Sequence, residues 1–269
     1  MSVSVARDRP SGGETPDAPG PPRLELRKAG MHYGGVQILR GVDLVVADGE
    51  FLAIVGPSGC GKSTLLKLIS GLVPMSEGRI LWHGRPGVAK PGDVGFMFQR
   101  DTLLPWATVA ENIAVGLDCR GVRKRDQPAR VAALLGLLDL APFGDFHPRA
   151  LSGGMRQRVA LGRLLAYAPD LYLLDEPFGA LDAQTKLQMG YELLNVWHAS
   201  RKGVIFVTHD IEEAISLADR VLVMSRNPGA IKAAYRIDLP RPRDLRAVRR
   251  LPVFHELAEA IWNDILDGP

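Results

Sequence analysis

One stretch constrains this chain more than any other: Gly56-Pro57-Ser58-Gly59-Cys60-Gly61-Lys62-Ser63-Thr64. It follows an apolar run, Phe51 to Val55, and opens a helix-like run, Leu65 to Ser70. It fits the pattern G-x-x-x-x-G-K-[ST] between a strand and a helix, the context that pattern requires. Glycines let the backbone curl so that successive N–H groups converge on one anion. A helix starting near Lys62 adds the positive end of its dipole. Lys62 is suited to neutralise β- and γ-phosphates, and the Ser63 hydroxyl to hold Mg²⁺. The chain is therefore expected to bind a nucleoside triphosphate. A plain glycine-rich turn has no need of Lys-Ser after its last glycine.

The rest of the composition narrows the setting. The chain has 269 residues, 46% of them hydrophobic, enough for a sizeable core. Its 33 basic and 30 acidic residues nearly balance, so nothing in the charge demands a nucleic-acid partner. The 2 cysteines are Cys60 and Cys119, and Cys60 lies inside the phosphate loop. A structural disulfide does not fit there, which points to a reducing, cytosolic compartment. No apolar run approaches a membrane span. Residues 1–22 are rich in Pro, Gly and Ser, carry Asp8, Glu14 and Asp17, and lack a signal-peptide core; they are expected to form a disordered tail.

Leu24 to Tyr33 reads as a strand. Leu44-Val45-Val46 and Phe51 to Val55 flank the turn Ala47-Asp48-Gly49 and read as a hairpin, implying an antiparallel β part. Val94 to Phe98 is a short apolar run, and Leu171–Leu174, Val204–Val207 and Val221–Met224 are almost wholly apolar. Such strands are buried on both faces, hence a parallel sheet covered by helices, an α/β fold. Val109–Gly116 and Ala129–Leu140 read as helices, with Leu134, Leu135, Leu137 and Leu138 on apolar stripes, so a helical subdomain is expected at about 100–151. An amphipathic helix is expected near Val253–Leu266.

A second constellation gives the ligand a use. Leu151-Ser152-Gly153-Gly154-Met155-Arg156-Gln157-Arg158 puts small residues at the start of a long helix. Ser152 suits an N-cap, and the two glycines leave backbone N–H groups uncovered, a second anion site. Next, Leu171-Tyr172-Leu173-Leu174-Asp175-Glu176 delivers two carboxylates at the end of a buried strand, where α/β sheets place their binding crevice. Asp175 suits the organisation of Mg²⁺, and Glu176 the polarisation of an attacking water as general base.

Together these elements resemble the nucleotide-binding subunit of an ABC transporter, from about Leu24 to Arg226. The resemblance implies a RecA-like P-loop NTPase core, with an antiparallel β subdomain and an inserted helical subdomain. It places the ATPase domain over 23–240 and a C-terminal basic segment and helix over 241–269. It makes Gly56 to Thr64 the Walker A loop and Tyr33 the aromatic that stacks on adenine. It makes Gln99 the Q-loop glutamine that contacts Mg²⁺ and senses the γ-phosphate, and Leu151 to Gln157 the signature. Asp175 and Glu176 become Walker B and the catalytic glutamate, Ala180-Leu181-Asp182 the D-loop, and His209 the switch histidine. The family's mechanism closes the signature of one subunit over the phosphate loop of a second, so it implies a head-to-tail homodimer around two ATP molecules. It also implies transmembrane permease subunits, a solute-binding protein acting through them, and a peripheral position on the cytoplasmic face of the cell membrane.

Phe98-Gln99-Arg100-Asp101-Thr102-Leu103-Leu104-Pro105-Trp106, Asp175 to Asp182 and Val223 to Gly229 are similar to the nitrate/sulfonate/taurine branch of bacterial importers. An exporter cassette and a soluble ABC-type ATPase remain the alternatives. Around Trp106, the apolar group reads equally as subdomain core or as a groove for a short permease helix. Cys60 reads as a small filler or a redox-sensitive thiol. Arg241, Arg243, Arg246, Arg249 and Arg250, interrupted by Asp244 and preceded by Asp238, read as a solvated face in preference to a contact for anionic lipid headgroups or nucleic acid. Gly162 occupies a position usually alanine in the family and is expected to weaken its helix by roughly 1 kcal/mol.

Overall fold

The computed structural model describes residues 7–8, 21–100, 102–179 and 181–266. In chain order the strands are β1 (Arg7–Asp8), β2 (Leu24–Tyr33), β3 (Val36–Val46), β4 (Phe51–Val55), β5 (Glu77–Trp82), β6 (Arg85–Pro86), β7 (Val94–Met97), β8 (Leu171–Asp175), β9 (Gly203–Val207), β10 (Arg220–Met224) and β11 (Ile231–Arg236). The helices are α1 (Lys62–Ile69), α2 (Val109–Cys119), α3 (Gln127–Leu137), α4 (Gly153–Tyr167), α5 (Ala183–Ser200), α6 (Ile211–Leu217) and α7 (Pro252–Leu266). The expected N-terminal tail falls almost wholly outside the described residues. Among the described residues no helix is long and apolar enough to cross a membrane. The chain divides into two compact units, one spanning Lys90–Ser200, the other holding the segments before and after it.

In the two-segment unit, β4 runs parallel to both β9 and β10, and β11 returns antiparallel on β10. All five residues of β4 and of β9 are buried, as parallel strands covered on both faces must be. Phe51 and Phe206 meet across the β4–β9 pair with ring centroids 5.9 Å apart. A separate antiparallel sheet has the order β3-β2-β5-β6. The expected hairpin across Ala47-Asp48-Gly49 does not form. β3 pairs with β2 around Gly34-Gly35, while β4 belongs to the parallel sheet. The turn is a crossing from one sheet to the other. β3 shows solvent on much of one face, whereas the unbroken apolar run of β4 is satisfied only inside the parallel sheet.

The C-terminal arginines correct the solvated-face expectation. Arg246, Arg249 and Arg250 are exposed, but Arg243 is buried. Its guanidinium donates to the carbonyls of Ala218 (2.6 Å), Ile215 (3.1 Å), Ser216 (3.2 Å) and Ile237 (3.2 Å). Arg241 donates to Leu217 O (2.7 Å) and to Asp219 (2.6 Å). The two side chains thus fill the carbonyl end of α6, where unsatisfied C=O groups and the negative end of the helix dipole attract a cation. In α7, Phe254, Leu257 and Ile261 are buried and Trp262 is exposed, the expected amphipathic pattern.

In the Lys90–Ser200 unit, β7 pairs with β8 in parallel. Helices α2 and α4 approach closely because Gly116 lacks a side chain: a Cβ there would lie 2.2 Å from the Arg163 carbonyl oxygen. Gly162 follows the same logic, since its Cβ would sit 2.8 Å from Leu138 and 3.1 Å from Ile113. The helix-weakening expected of Gly162 is therefore set against the crowding that alanine would create. Leu135 and Leu138 are buried, but Leu137 faces solvent, so the predicted stripe is narrower than the run of leucines suggests.

Candidate functional site

β4 delivers the chain into the loop Gly56 to Thr64, and α1 carries it away. Gly61 turns with φ 100°, a region closed to most side chains, and so serves as the N-cap residue of α1 without a side-chain cap. The first turn of α1 holds no acidic residue. Lys62 is buried, and its Nζ donates to the carbonyls of Gly56 (2.8 Å) and Pro57 (3.0 Å), with Cys60 Sγ at 3.8 Å. Among the described residues it makes no ion pair. A buried ammonium beside helix N–H groups that no side chain caps is an arrangement that suits an anion. Ser63 and Thr64 are half-buried in the first turn, while Ser58 and Gly59 are exposed at the loop tip. Cys60 is buried, which accords with its reading as a filler.

The wall of this loop was not evident from the sequence. Gly229, in the β10–β11 connection, lies so close that a Cβ there would stand 2.0 Å from the Cys60 carbonyl oxygen. Its N–H donates to Ile38 O, and its carbonyl accepts from Arg40 N, both at 2.9 Å. The only sequence signal was a glycine at the end of Arg226-Asn227-Pro228-Gly229.

Two further predicted residues lie in the same unit. Tyr33, at the end of β2, is 76% exposed, so its ring face is open to a stacking partner. His209 is exposed between β9 and α6. Its peptide is fixed by its neighbours: buried Thr208 donates to Glu213 and accepts from Asp210 N, and Asp210 caps α6 by accepting from Glu213 N at 3.1 Å.

The Lys90–Ser200 unit holds the other predicted residues. Ser152 caps α4, its hydroxyl accepting from Met155 N at 3.2 Å. Ser152 and Gly153 are exposed, Gly154 is half-buried, and the first turn of α4 carries no acid. At the end of β8, Asp175 is buried, whereas Glu176 is half-buried and holds a left-handed backbone, φ 47°. That conformation costs a glutamate about 1–3 kcal/mol and persists only where surroundings enforce it. Part of the enforcement is a turn in which Gly179 N donates to Glu176 O at 3.1 Å. Gln99 Nε2 donates to Glu176 Oε2 at 3.1 Å, so the predicted sensor and the predicted base touch.

Gln157 does not share the exposure of Ser152 and Gly153. It is buried, its Nε2 3.4 Å from the Gln99 carbonyl oxygen. Asp182 caps α5, accepting from Gln184 N (3.1 Å), Thr185 N (3.0 Å) and the Thr185 hydroxyl (2.6 Å); the hydroxyl first, then the backbone N–H groups, hold its carboxyl below the usual carboxylate range. Ala180 and Asp101 lie outside the described residues.

The segment after Gln99 is pinned rather than loose. Asn112, fully buried on α2, accepts from Leu104 N (2.8 Å) and donates to the carbonyls of Leu104 (3.2 Å), Ala107 (3.1 Å) and Thr108 (2.9 Å). Arg163 donates to Thr102 O (2.9 Å) and Thr102 Oγ1 (2.7 Å). Leu103 goes into the core, but Trp106 is 74% exposed, so the core reading fails for the tryptophan. Asn112 gave no signal in the sequence, because a lone amide in a helical run carries no motif.

A family profile described as "ABC transporter" matches residues 39–179. The taurine import ATP-binding protein TauB of Rhizobium johnstonii is 46% identical over 231 residues, covering 84% of this chain and 88% of the relative. TauB of Mesorhizobium japonicum is 42% identical over 253 residues, covering 92% and 98%. Among solved structures, the dimeric structure of a bacterial ABC transporter cassette superposes with a TM-score of 0.73 at 29% identity, covering 81% of this chain and all of that one. A post-hydrolysis state of that cassette bound to ADP and Pi gives 0.72 at 28%.

Proposed function

Because the chain belongs to the ABC transporter family, we propose that it is the ATP-hydrolysing subunit of a bacterial importer for taurine or a similar small solute, such as another sulfonate or nitrate. The taurine importers among its relatives support the branch. Glu176 carries the enzymatic reading: a carboxylate at the end of a fully buried strand, in a strained backbone, with the Gln99 amide on its oxygen. Such strain collects where geometry matters to function.

In this reading Lys62 and the open start of α1 bind the β- and γ-phosphates, and Tyr33 stacks on the adenine. Pro57 and Cys60 shape the loop whose N–H groups, through Gly56, Ser58, Gly59, Gly61, Ser63 and Thr64, face the triphosphate. Ser63 in the two-segment unit offers a hydroxyl, and in the other unit Asp175 and Gln99 offer a carboxylate and an amide oxygen, each a hard donor of the kind that suits Mg²⁺. The ion would supply charge neutralisation on the phosphates. Glu176 orients the attacking water and takes its proton, and His209 donates to the γ-phosphate. Ser152, Gly153 and Gly154 serve the nucleotide of a partner subunit, since a phosphate cradled on one side is still open to water on the other. We assign 23–240 to the ATPase domain, with the helices of about 100–151 as an inserted subdomain.

The working form is thus a homodimer, peripheral on the cytoplasmic face of the cell membrane and docked to permease subunits through the segment that exposes Trp106. The decisive experiment is Glu176→Gln. Turnover should fall by about 10²-fold or more with ATP binding retained, and an ATP-bound dimer should accumulate on size exclusion. Native turnover in this variant would remove Glu176 from the mechanism.

A further inference from the structure

Gln157 is a buried polar group to which the proposed mechanism gives no task. Its amide nitrogen faces the Gln99 carbonyl oxygen at 3.4 Å. That orientation is dictated, because the flipped amide would set oxygen against oxygen. Its Oε1 is buried with no hydrogen-bond partner among the described residues. A buried amide left half-satisfied is one that a small movement of its helix can re-pair.

Three contacts in one unit then form a line. Ser152 and the uncovered N–H groups of Gly153 and Gly154 start α4. Gln157, five residues along the same helix, reaches the backbone of Gln99. The side chain of Gln99 reaches the Glu176 carboxylate at 3.1 Å. Arg163, further along α4, grips Thr102 on the same segment. The helix that meets a partner's nucleotide is therefore tied to the segment that holds this subunit's own general base.

We propose that Gln157 is a positioning residue: it sets Gln99 against Glu176, so that engagement of α4 with the partner's γ-phosphate is reported to the subunit's own catalytic carboxylate. The proposal rests on the assignment of Glu176 as the base. On this proposal Gln157, expected from the family resemblance to be part of the nucleotide-binding signature, acts through the Gln99 backbone instead of by touching ATP.

The test is Gln157→Leu in the full chain, alone and combined with Gln99→Ala. Leucine fills the same volume and removes both the donor and the unpaired acceptor, so the melting temperature should hold. Turnover should fall about tenfold, as removing one hydrogen bond from the barrier implies, with KM for ATP changed less than about twofold. On the Gln99→Ala background the same substitution should lower turnover no further. An equal loss on both backgrounds, or none on the native one, overturns the proposal. If Gln157→Leu fails to fold, Gln157→Met, unbranched and adaptable, takes its place with the same expectations. Glu176→Gln run in parallel separates the two levels. Native turnover there removes the base assignment; an inactive Glu176→Gln beside a fully active Gln157→Leu removes only the role of Gln157.

Discussion

Two pairs of helix starts contrast in this protein. α2 and α6 close their own ends. Thr108 accepts from Glu111 N while Glu111 accepts from Thr108 N, a reciprocal box. Asp210 caps α6, whose first turn adds Glu212 and Glu213. α1 and α4 are left open. Gly61 offers α1 no side chain, Ser152 satisfies a single N–H of α4, and neither first turn contains an acid. Every helix start carries four N–H groups without intrahelical partners. Acids stand at the starts of α2 and α6 and are missing from those of α1 and α4, the two proposed to meet a phosphate; α3 also lacks them, but its first turn carries a proline. At α1 the sequence goes further and buries a lysine among carbonyls.

The largest effect should come from Lys62→Ala. ATP affinity should drop by about 10²-fold, the scale of removing a charge-assisted hydrogen bond from a buried site, while the fold persists. Titration calorimetry reads it directly; unchanged affinity would end the distinction between open and closed starts. A paired substitution sharpens it. Ser152→Ala and Thr108→Ala should each cost about 1 kcal/mol of stability, the usual effect of removing a cap. Only Ser152→Ala should also lower turnover and ATP-driven dimerisation, and equal enzymatic loss in both would make the two kinds of helix start equivalent.

The smallest effect is a matter of pH. The Thr108 backbone N–H, then its hydroxyl, holds the Glu111 carboxyl below the ordinary glutamate range. A depressed carboxyl stabilises the fold above its unfolded value, near 4.3, and that contribution fades as pH falls through the folded value. Amide exchange at Glu111 and Asn112, corrected for intrinsic rate, should therefore quicken below about pH 4. The Met155 amide rests on the Ser152 hydroxyl, which does not titrate there, and should show no such step.

Legibility in the sequence followed the same division between local and non-local causes. The strands Phe51–Val55, Leu171–Asp175 and Gly203–Val207 were readable because every residue in them is buried, and an unbroken apolar run reports that. The turn at Ala47-Asp48-Gly49 was misread because a hairpin and a crossing between sheets use the same turn residues; only the partner strands differ. Trp106 and Leu103 could not be told apart by type, and the structure sends one to solvent and the other to the core. Arg243 looked like surface because its acceptors are the carbonyls closing α6, which no sequence motif marks. At the candidate site, Gly56 to Thr64 announced a phosphate cradle by pattern alone. The hydrogen bond between Gln99 and Glu176 joins residues far apart in the chain, so no local spacing could reveal it.

Gly229 carries a consequence for how the protein can be cut. The strip of backbone it brings against Cys60 comes from well after the loop itself, beyond Glu176 and His209. A fragment stopped before Arg226 would keep Gly56 to Thr64, Asp175-Glu176 and His209 yet lack one side of the mould in which Cys60 and its loop are cast. Cutting the chain back to those residues would leave the loop with that side unsupported.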